Sequence, residues 1–385
     1  MRICLANLDF VPYRSSGLAV YGEDLARGLA GCGHQVTVVC SHRPGLPTEE
    51  TIEAIQVYRV PQGKTDWIGY AWHAGPLIER LAQQQRFHVV HFLDAHFAYR
   101  FRGPFVASLF QSFRQRATSE GGLPYHAHWR GLMTHLLYYH AARFAAERPA
   151  VQRASHLIAS SQATADEFCQ HYGQEPRRVS VVPLGIDLER FRPLEAADAR
   201  RQLGLGQSPI ILYVGFGTPR KGLHYLAQAF ARLESDARLV MVGRWEPGYR
   251  ERFYRAVGAA AERVVEAGYV PDDSVPVFYS AADIVVLPSL LEGFGYPVVE
   301  ALACGAAVVA TAVGSIPEVV GPGGLLVPSC NPAALAQALG ELLADPQRRR
   351  EMGRAGRAWV RSRFERGRMV RETLEVYERF CTAIP

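Results

Sequence analysis

Apolar residues in this chain fall in short continuous runs rather than in strict alternation. Arg2–Ala6, Gln35–Cys40, Ile55–Arg59, His88–Phe92, Phe105–Phe110, His156–Ser160 and Val179–Pro183 read as strands. Between them, Leu18–Ala30, Ala71–Gln85, Trp129–Arg148 and Ala163–His171 are among the stretches that predict helices. The alternation restarts with Pro209–Gly215, Arg238–Val242, Arg263–Val270, Ile284–Leu287, Ala307–Ala310 and Leu325–Val327. Strands that are apolar on both faces and alternate with helices belong to a parallel sheet covered on both sides. Two such series predict an α/β chain of two doubly wound, Rossmann-like domains, with ligand at the carboxyl ends of the strands. The charged, proline-bearing stretch Gly185–Ser208 separates them, with a helix expected over Ala196–Leu203. The domains expected are therefore 1–188 and 189–368, and Pro346–Phe380 reads as a long amphipathic helical region broken near Phe364–Gly367.

The densest chemistry lies in Pro288–Thr311, PSLLEGFGYPVVEALACGAAVVAT. The buried run Ile284–Leu287 feeds a loop with Gly293 and Gly295, which let the backbone turn sharply and approach a ligand. Pro297 suits the first turn of a helix, where its missing N–H costs nothing. Strand, glycine loop and helix N-terminus together aim free amides at an anion such as phosphate. Glu292 stands at the mouth of that loop, and Glu300 falls one turn into the helix, able to accept from a diol such as a ribose. A carboxylate near a reacting group, another on a sugar diol and amides between them describe a nucleotide-sugar site.

That segment resembles the Glu-(seven residues)-Glu signature of the retaining family-4 glycosyltransferases, which have the GT-B fold. The resemblance covers nearly the whole chain. SSGLAVYGEDLARGLAGCGHQVTVV is similar to the family's glycine loop and first helix, VPLGIDLERFRP to its interdomain segment, and LYVGFGTPRKGLHYLAQAF to its phosphate strand and lysine turn. The resemblance implies two Rossmann-like domains facing each other across a cleft, with the final helix, about Met369–Pro385, returning to the first. It implies that Glu292 lies beside the donor sugar near the amides of Phe294, Gly295 and Tyr296, and that Glu300 binds the ribose. Lys221 would hold the diphosphate and stabilise the charge on the leaving group. Gly17 and Gly215 would approach the same donor. The activity implied is transfer of a hexose of glucose or mannose type from a nucleoside-diphosphate sugar to an acceptor hydroxyl, with retention. The acceptor would be a polysaccharide, a lipid-linked sugar or a small molecule, bound by loops such as Thr65–Trp72 and Ser112–His128.

Two positions depart from the family pattern. Phe216 follows Gly215 where many relatives carry an arginine, leaving Arg220 and Arg244 as candidates for the second phosphate cation. Phe110 stands where the family often has a histidine; His96, on the exit of the preceding strand, is the candidate to reach the cleft, against a structural role. A catalytically degenerate GT-B protein that only binds nucleotide sugars is the alternative that these departures keep open.

Composition mainly excludes. The chain has 385 residues, 48% hydrophobic and 21% charged, which is an ordinary soluble composition. No run of eighteen apolar residues is present, and MRICLANLDF enters a strand directly, without the pattern of a signal peptide. The seven dispersed cysteines form no CxxC pair and fit a reducing cytoplasm. No histidine–carboxylate cluster has metal-ligand spacing, so catalysis without metal or cofactor is expected. Net charge is +5, but Phe97–Ser160 carries eight arginines against two glutamates, interleaved with aromatics. That segment reads either as a solvated face or as a surface for an anionic acceptor or an anionic membrane. No dense basic stripe points to nucleic acid.

Overall fold

The computed structural model describes residues 1–14, 16–62, 66–118 and 129–382. Thr65 and residues 119–128 of the two expected acceptor loops, and the last three residues of the expected returning helix, lie outside them.

The chain divides into two compact units. The first comprises Met1–Ala117, Leu136–Gly185 and Arg366 onward; the second is built on Ile186–Glu365 and also takes in, of the described residues, 118 and 129–135. In the first, β1 (Arg2–Ala6), β2 (Gln35–Ser41), β4 (Ile55–Val60), β5 (Val89–Phe92), β6 (Val106–Leu109), β7 (His156–Ala159) and β8 (Val179–Val181) are all parallel. A short antiparallel strand, β3 (Glu49–Ile52), closes one edge and gives the order β3-β4-β2-β1-β5-β6-β7-β8. Helices α1 (Gly17–Gly31), α2 (Asp66–Gln85), α3 (Phe113–Thr118), α4 (Trp129–Ala142, of which the part from Leu136 belongs to this unit), α5 (Arg148–Arg153) and α6 (Gln162–Tyr172) follow in sequence. A single π turn, Arg143–Glu147, joins α4 to α5 where one continuous helix to Arg148 is expected.

In the second unit α7 (Ala196–Gln202) precedes six parallel strands, β9 (Ile210–Val214), β10 (Arg238–Val242), β11 (Val264–Gly268), β12 (Ile284–Leu287), β13 (Ala307–Thr311) and β14 (Gly324–Val327). Their order is β11-β10-β9-β12-β13-β14. Helices α8 (Leu223–Phe230), α9 (Tyr249–Val257), α10 (Val275–Ala281), α11 (Tyr296–Ala303), α12 (Ile316–Val320), α13 (Pro332–Ala344) and α14 (Pro346–Arg363) cover its faces. Each unit has its own apolar cluster, around Phe92, Phe105 and Leu157 in the first and Ile211, Leu239 and Val309 in the second.

α15 (Arg366–Thr382) packs on α1 within the first unit. The fit is close: a Cβ on Gly28 would meet Val370 Cγ2 at 2.3 Å, and Arg366 Nη1 lies 3.3 Å from Asp24 Oδ1. Beneath that contact runs a buried chain of hydrogen bonds. Tyr377 Oη lies 2.6 Å from His91 Nδ1, His91 Nε2 lies 2.8 Å from Ser108 Oγ, and Ser108 Oγ lies 3.1 Å from Tyr21 Oη. Burial pushes His91 down to about 3, so the ring is neutral and accepts at one nitrogen only.

Candidate active site

In an open parallel sheet, ligands bind beyond the carboxyl ends of the strands where the strand order reverses. In the second unit that point lies between β9 and β12. The segment after β9 runs through Gly215 and Phe216 to a tight turn, Pro219–Lys221, closed by Gly222 at φ +65°. The segment after β12 is Pro288–Gly295, which enters α11.

The two segments are joined along their backbones. The Leu290 N–H donates to the Arg220 carbonyl at 2.9 Å, and Arg220 Nη1 donates to the Leu291 carbonyl at 2.9 Å. Only glycine fits at 222, because a Cβ there would stand 2.0 Å from the Pro288 carbonyl oxygen. A third segment, from the end of β13, closes over the loop. Gly314 has φ +53°, and a Cβ on it would lie 2.1 Å from the Glu292 carbonyl oxygen. Thr311 Oγ1 donates to the Ser289 carbonyl.

This scaffold brings Lys221, Glu292 and Arg220 together. Lys221 Nζ donates to Glu292 Oε1 as a buried ion pair, and Arg220 Nη1 lies 3.9 Å from Glu292 Oε2. Ser289 Oγ donates to Glu292 Oε1 at 2.7 Å. Burial by itself would raise Glu292, but Lys221 and then Arg220 override it and hold the carboxyl below its ordinary range. Lys221 is lowered by burial and by Arg220, against the attraction of Glu292. Two cations on one carboxylate leave local positive charge beside the N-terminus of α11. That end is uncapped by any side chain, with Gly295 at φ +94° as N-cap.

The other expected residues are distributed around this centre. Gly293 lies on the loop, while the rings of Phe294 and Tyr296 are buried and in edge contact, so these two residues offer backbone rather than side chain. Glu300 sits on α11, half-buried, and accepts from Tyr279 Oη at 2.7 Å. Burial pushes it up to about 7, against the Tyr279 hydrogen bond and Arg190. Gly215 continues the β9 ladder, its N–H donating to the Val242 carbonyl at 2.9 Å, in a crevice lined by Tyr213, Gly217, Gly243, Arg244 and Trp245. Arg244, on the exit of β10, lines that crevice with its carbonyl accepting from the Gly217 N–H at 2.7 Å and its Cζ 4.4 Å over the ring of Tyr269. Of the two candidates for the second phosphate cation, Arg220 approaches Glu292 and Arg244 lines the crevice with Gly215. Phe216 is half exposed on the same rim.

Gly17 and His96 belong to the first unit. Gly17 is exposed at the start of α1, where Ser16 Oγ accepts from the Ala19 N–H at 3.3 Å. His96 is buried in a 3-10 turn after β5, with Nδ1 2.7 Å from Asp94 Oδ1 and its ring enclosed by Trp67, Phe97 and Phe113.

Ser289, Tyr279 and Gly314 escaped the sequence reading. Ser289 is only three residues before Glu292, but the segment is loop and no motif marks the contact between their side chains. Tyr279 is 21 residues from Glu300 and carried no signal either.

Residues 15–190 match the family described as Glycosyltransferase Family 4, and residues 196–359 the family described as Glycosyl transferases group 1. A D-inositol 3-phosphate glycosyltransferase of Streptomyces bingchenggensis is 31% identical over 94% of this chain and 84% of its own length. One from Xylanimonas cellulosilytica is 32% identical over 94% and 91%. Among solved structures, sucrose-phosphate synthase from Thermosynechococcus elongatus superposes with a TM-score of 0.80 at 24% identity, over 99% of both chains. Anabaena HepE in complex with UDP-glucose does so with 0.73 at 21% identity, over 98% of this chain and 99% of its own. At these identities the likeness shows the fold, and that fold is GT-B.

Proposed function

The chain belongs to the glycosyltransferase group 1 family, and we propose that within it this protein transfers a hexose from a nucleoside-diphosphate sugar to an acceptor hydroxyl with retention of configuration. The observation that carries this reading is the buried Lys221–Glu292 pair with Arg220 at the uncapped start of α11. Relatives named as acting on D-inositol 3-phosphate and as a mannosyltransferase, and a structural neighbour holding UDP-glucose, support the substrate class.

In this reading Lys221, Arg220 and the α11 amides hold the diphosphate, as the Gly215 backbone approaches it. Glu292 accepts from the donor hexose hydroxyls and Glu300 from the ribose. The bond from the anomeric carbon to the phosphate oxygen breaks, and the acceptor oxygen forms the new bond on the same face of the sugar. The acceptor's proton passes to the departing phosphate oxygen. The protein contributes position and electrostatic support of the leaving group. Lysine and arginine supply the cations, so transfer proceeds in the presence of chelator. Peripheral contact with an anionic membrane through the arginine-rich segment of the first unit belongs to the same proposal, for a lipid-linked acceptor.

The test is incubation with UDP-, GDP- and ADP-hexoses in EDTA, with sugar and lipid acceptors, followed by NMR of the product's anomeric carbon. An α-linked product from an α-linked donor is expected. Binding of a nucleotide sugar without turnover on any acceptor would favour a non-catalytic protein, the reading that Phe216 supports. An inverted product would overturn the mechanism.

A further inference from the structure

Tyr279 lies on the last turn of α10, fully buried, with its ring near Phe191 at 6.3 Å between centroids. A phenol sealed from water needs a partner for its hydroxyl. Two buried tyrosines here meet that need with a backbone carbonyl, Tyr70 with Val39 at 2.7 Å and Tyr213 with Phe216 at 3.1 Å. Tyr279 instead donates to Oε2 of Glu300 on the neighbouring helix. One neutral donor on one oxygen leaves Oε1 with its full acceptor capacity and fixes the carboxyl plane. A vicinal diol presents two donors, and an ionised carboxylate can accept both; a protonated one loses an acceptor and presents a donor of its own.

We propose that Tyr279 is a positioning residue that holds Glu300 in the orientation and the ionised state in which it accepts the ribose diol, making nucleotide affinity dependent on the protonation of this one carboxylate. The inference rests on the reading of Glu300 as the ribose ligand. The groups that set the proton equilibrium come from several elements. Beside burial they are Tyr279 of α10, Arg190 of the segment before α7 and Asp272 of the turn before α10; the Cys304 thiol at the end of α11 also faces the carboxylate and is itself raised by it. Arg357 of α14 donates to the Ala303 carbonyl at 3.0 Å and faces Cys304. Arg190 favours the ionised form and Asp272 opposes it; Tyr279 is the direct hydrogen-bond donor among them.

The experiment is calorimetric titration of the full chain with UDP, GDP and ADP, each beside its 2′,3′-dideoxy counterpart, from pH 5.5 to 9. The ratio of diol to dideoxy affinity cancels titration of the phosphates. In the wild type this ratio is expected to fall about tenfold per pH unit below roughly pH 7 and to be flat above it, as for a single proton. Tyr279→Phe should shift that break to higher pH, so that the ratio is reduced at pH 7 and recovers by pH 9, a recovery that a merely damaged core does not give. A flat wild-type ratio across the range would overturn the proposal even if Tyr279→Phe failed to fold. So would a folded Tyr279→Phe with an unmoved break. Glu300→Gln separates the two layers: if it leaves the ratio at the wild-type value, Glu300 does not touch the ribose and the underlying assignment fails.

Discussion

The carboxyl ends of the two sheets are built in opposite ways. In the second unit the rim is a seam of backbone: three segments cross within hydrogen-bonding distance, glycines 222 and 314 stand where a Cβ would strike a carbonyl, and the charges of Lys221, Arg220 and Glu292 gather on that frame. In the first unit the rim is a nest of rings. His96 and Asp94 lie among Trp67, Phe97 and Phe113. Glu147 is buried with Tyr172 donating to it and the Phe113 N–H at 3.0 Å. Backbone and glycine can hold only something small and invariant, such as a phosphate; rings and buried carboxyls are a surface that side-chain changes can reshape. The two rims therefore fail differently when altered.

Lys221→Ala removes the central cation and is expected to lower transfer by about a thousandfold. Glu292→Ala leaves Lys221 buried without a counter-charge and should cost stability of about 3–5 kcal/mol as well, read by denaturant titration. The first-unit rim should answer to pH instead. Burial first, and Asp94 further, push Glu147 up to about 8 from an ordinary value of 4.5, against the Tyr172 hydrogen bond. Between those values the native chain keeps a proton that the unfolded chain has lost, so stability falls as pH rises through that window. Glu147→Gln should flatten the fall, a difference on the order of a few kcal/mol at pH 9 that vanishes near pH 4.

Glycine substitutions sharpen the contrast further. Gly222→Ala should cost on the order of 2–3 kcal/mol and weaken nucleotide binding, because both its φ and the Pro288 carbonyl oppose a Cβ. Gly33→Ala, at φ +81° in open space on the first unit, should cost about 1 kcal/mol and leave binding unchanged. The smallest effect is expected from Phe216→Arg. This restores an exposed cation at the rim and should tighten nucleoside diphosphate binding by no more than about fivefold, lost at high salt.

The sheets were legible because their strands are apolar on both faces, and most strand boundaries lie within a residue or two of the expected ones. β3 was not, since Glu49-Glu50-Thr51-Ile52 is a polar edge strand that pairs only with β4 and hides nothing. The start of α2 was also missed: the helix begins at Asp66, five residues before Ala71, with Trp67 turned onto His96 rather than following an amphipathic stripe. At the candidate site, the strand–glycine–helix passage could be read because it is local. The direct pairing of Lys221 with Glu292 could not, because it spans 71 residues and depends on how two loops meet. The same holds for the approach of Arg220 to Glu292.

The most direct test of the central claim is calorimetry of the wild type and Lys221→Ala with UDP-, GDP- and ADP-hexoses in EDTA. One nucleotide class is expected to bind the wild type at about micromolar affinity or tighter without added metal, and Lys221→Ala to lose at least about a hundredfold of that affinity. Binding that requires a divalent ion, or that survives unchanged in Lys221→Ala, would contradict that claim.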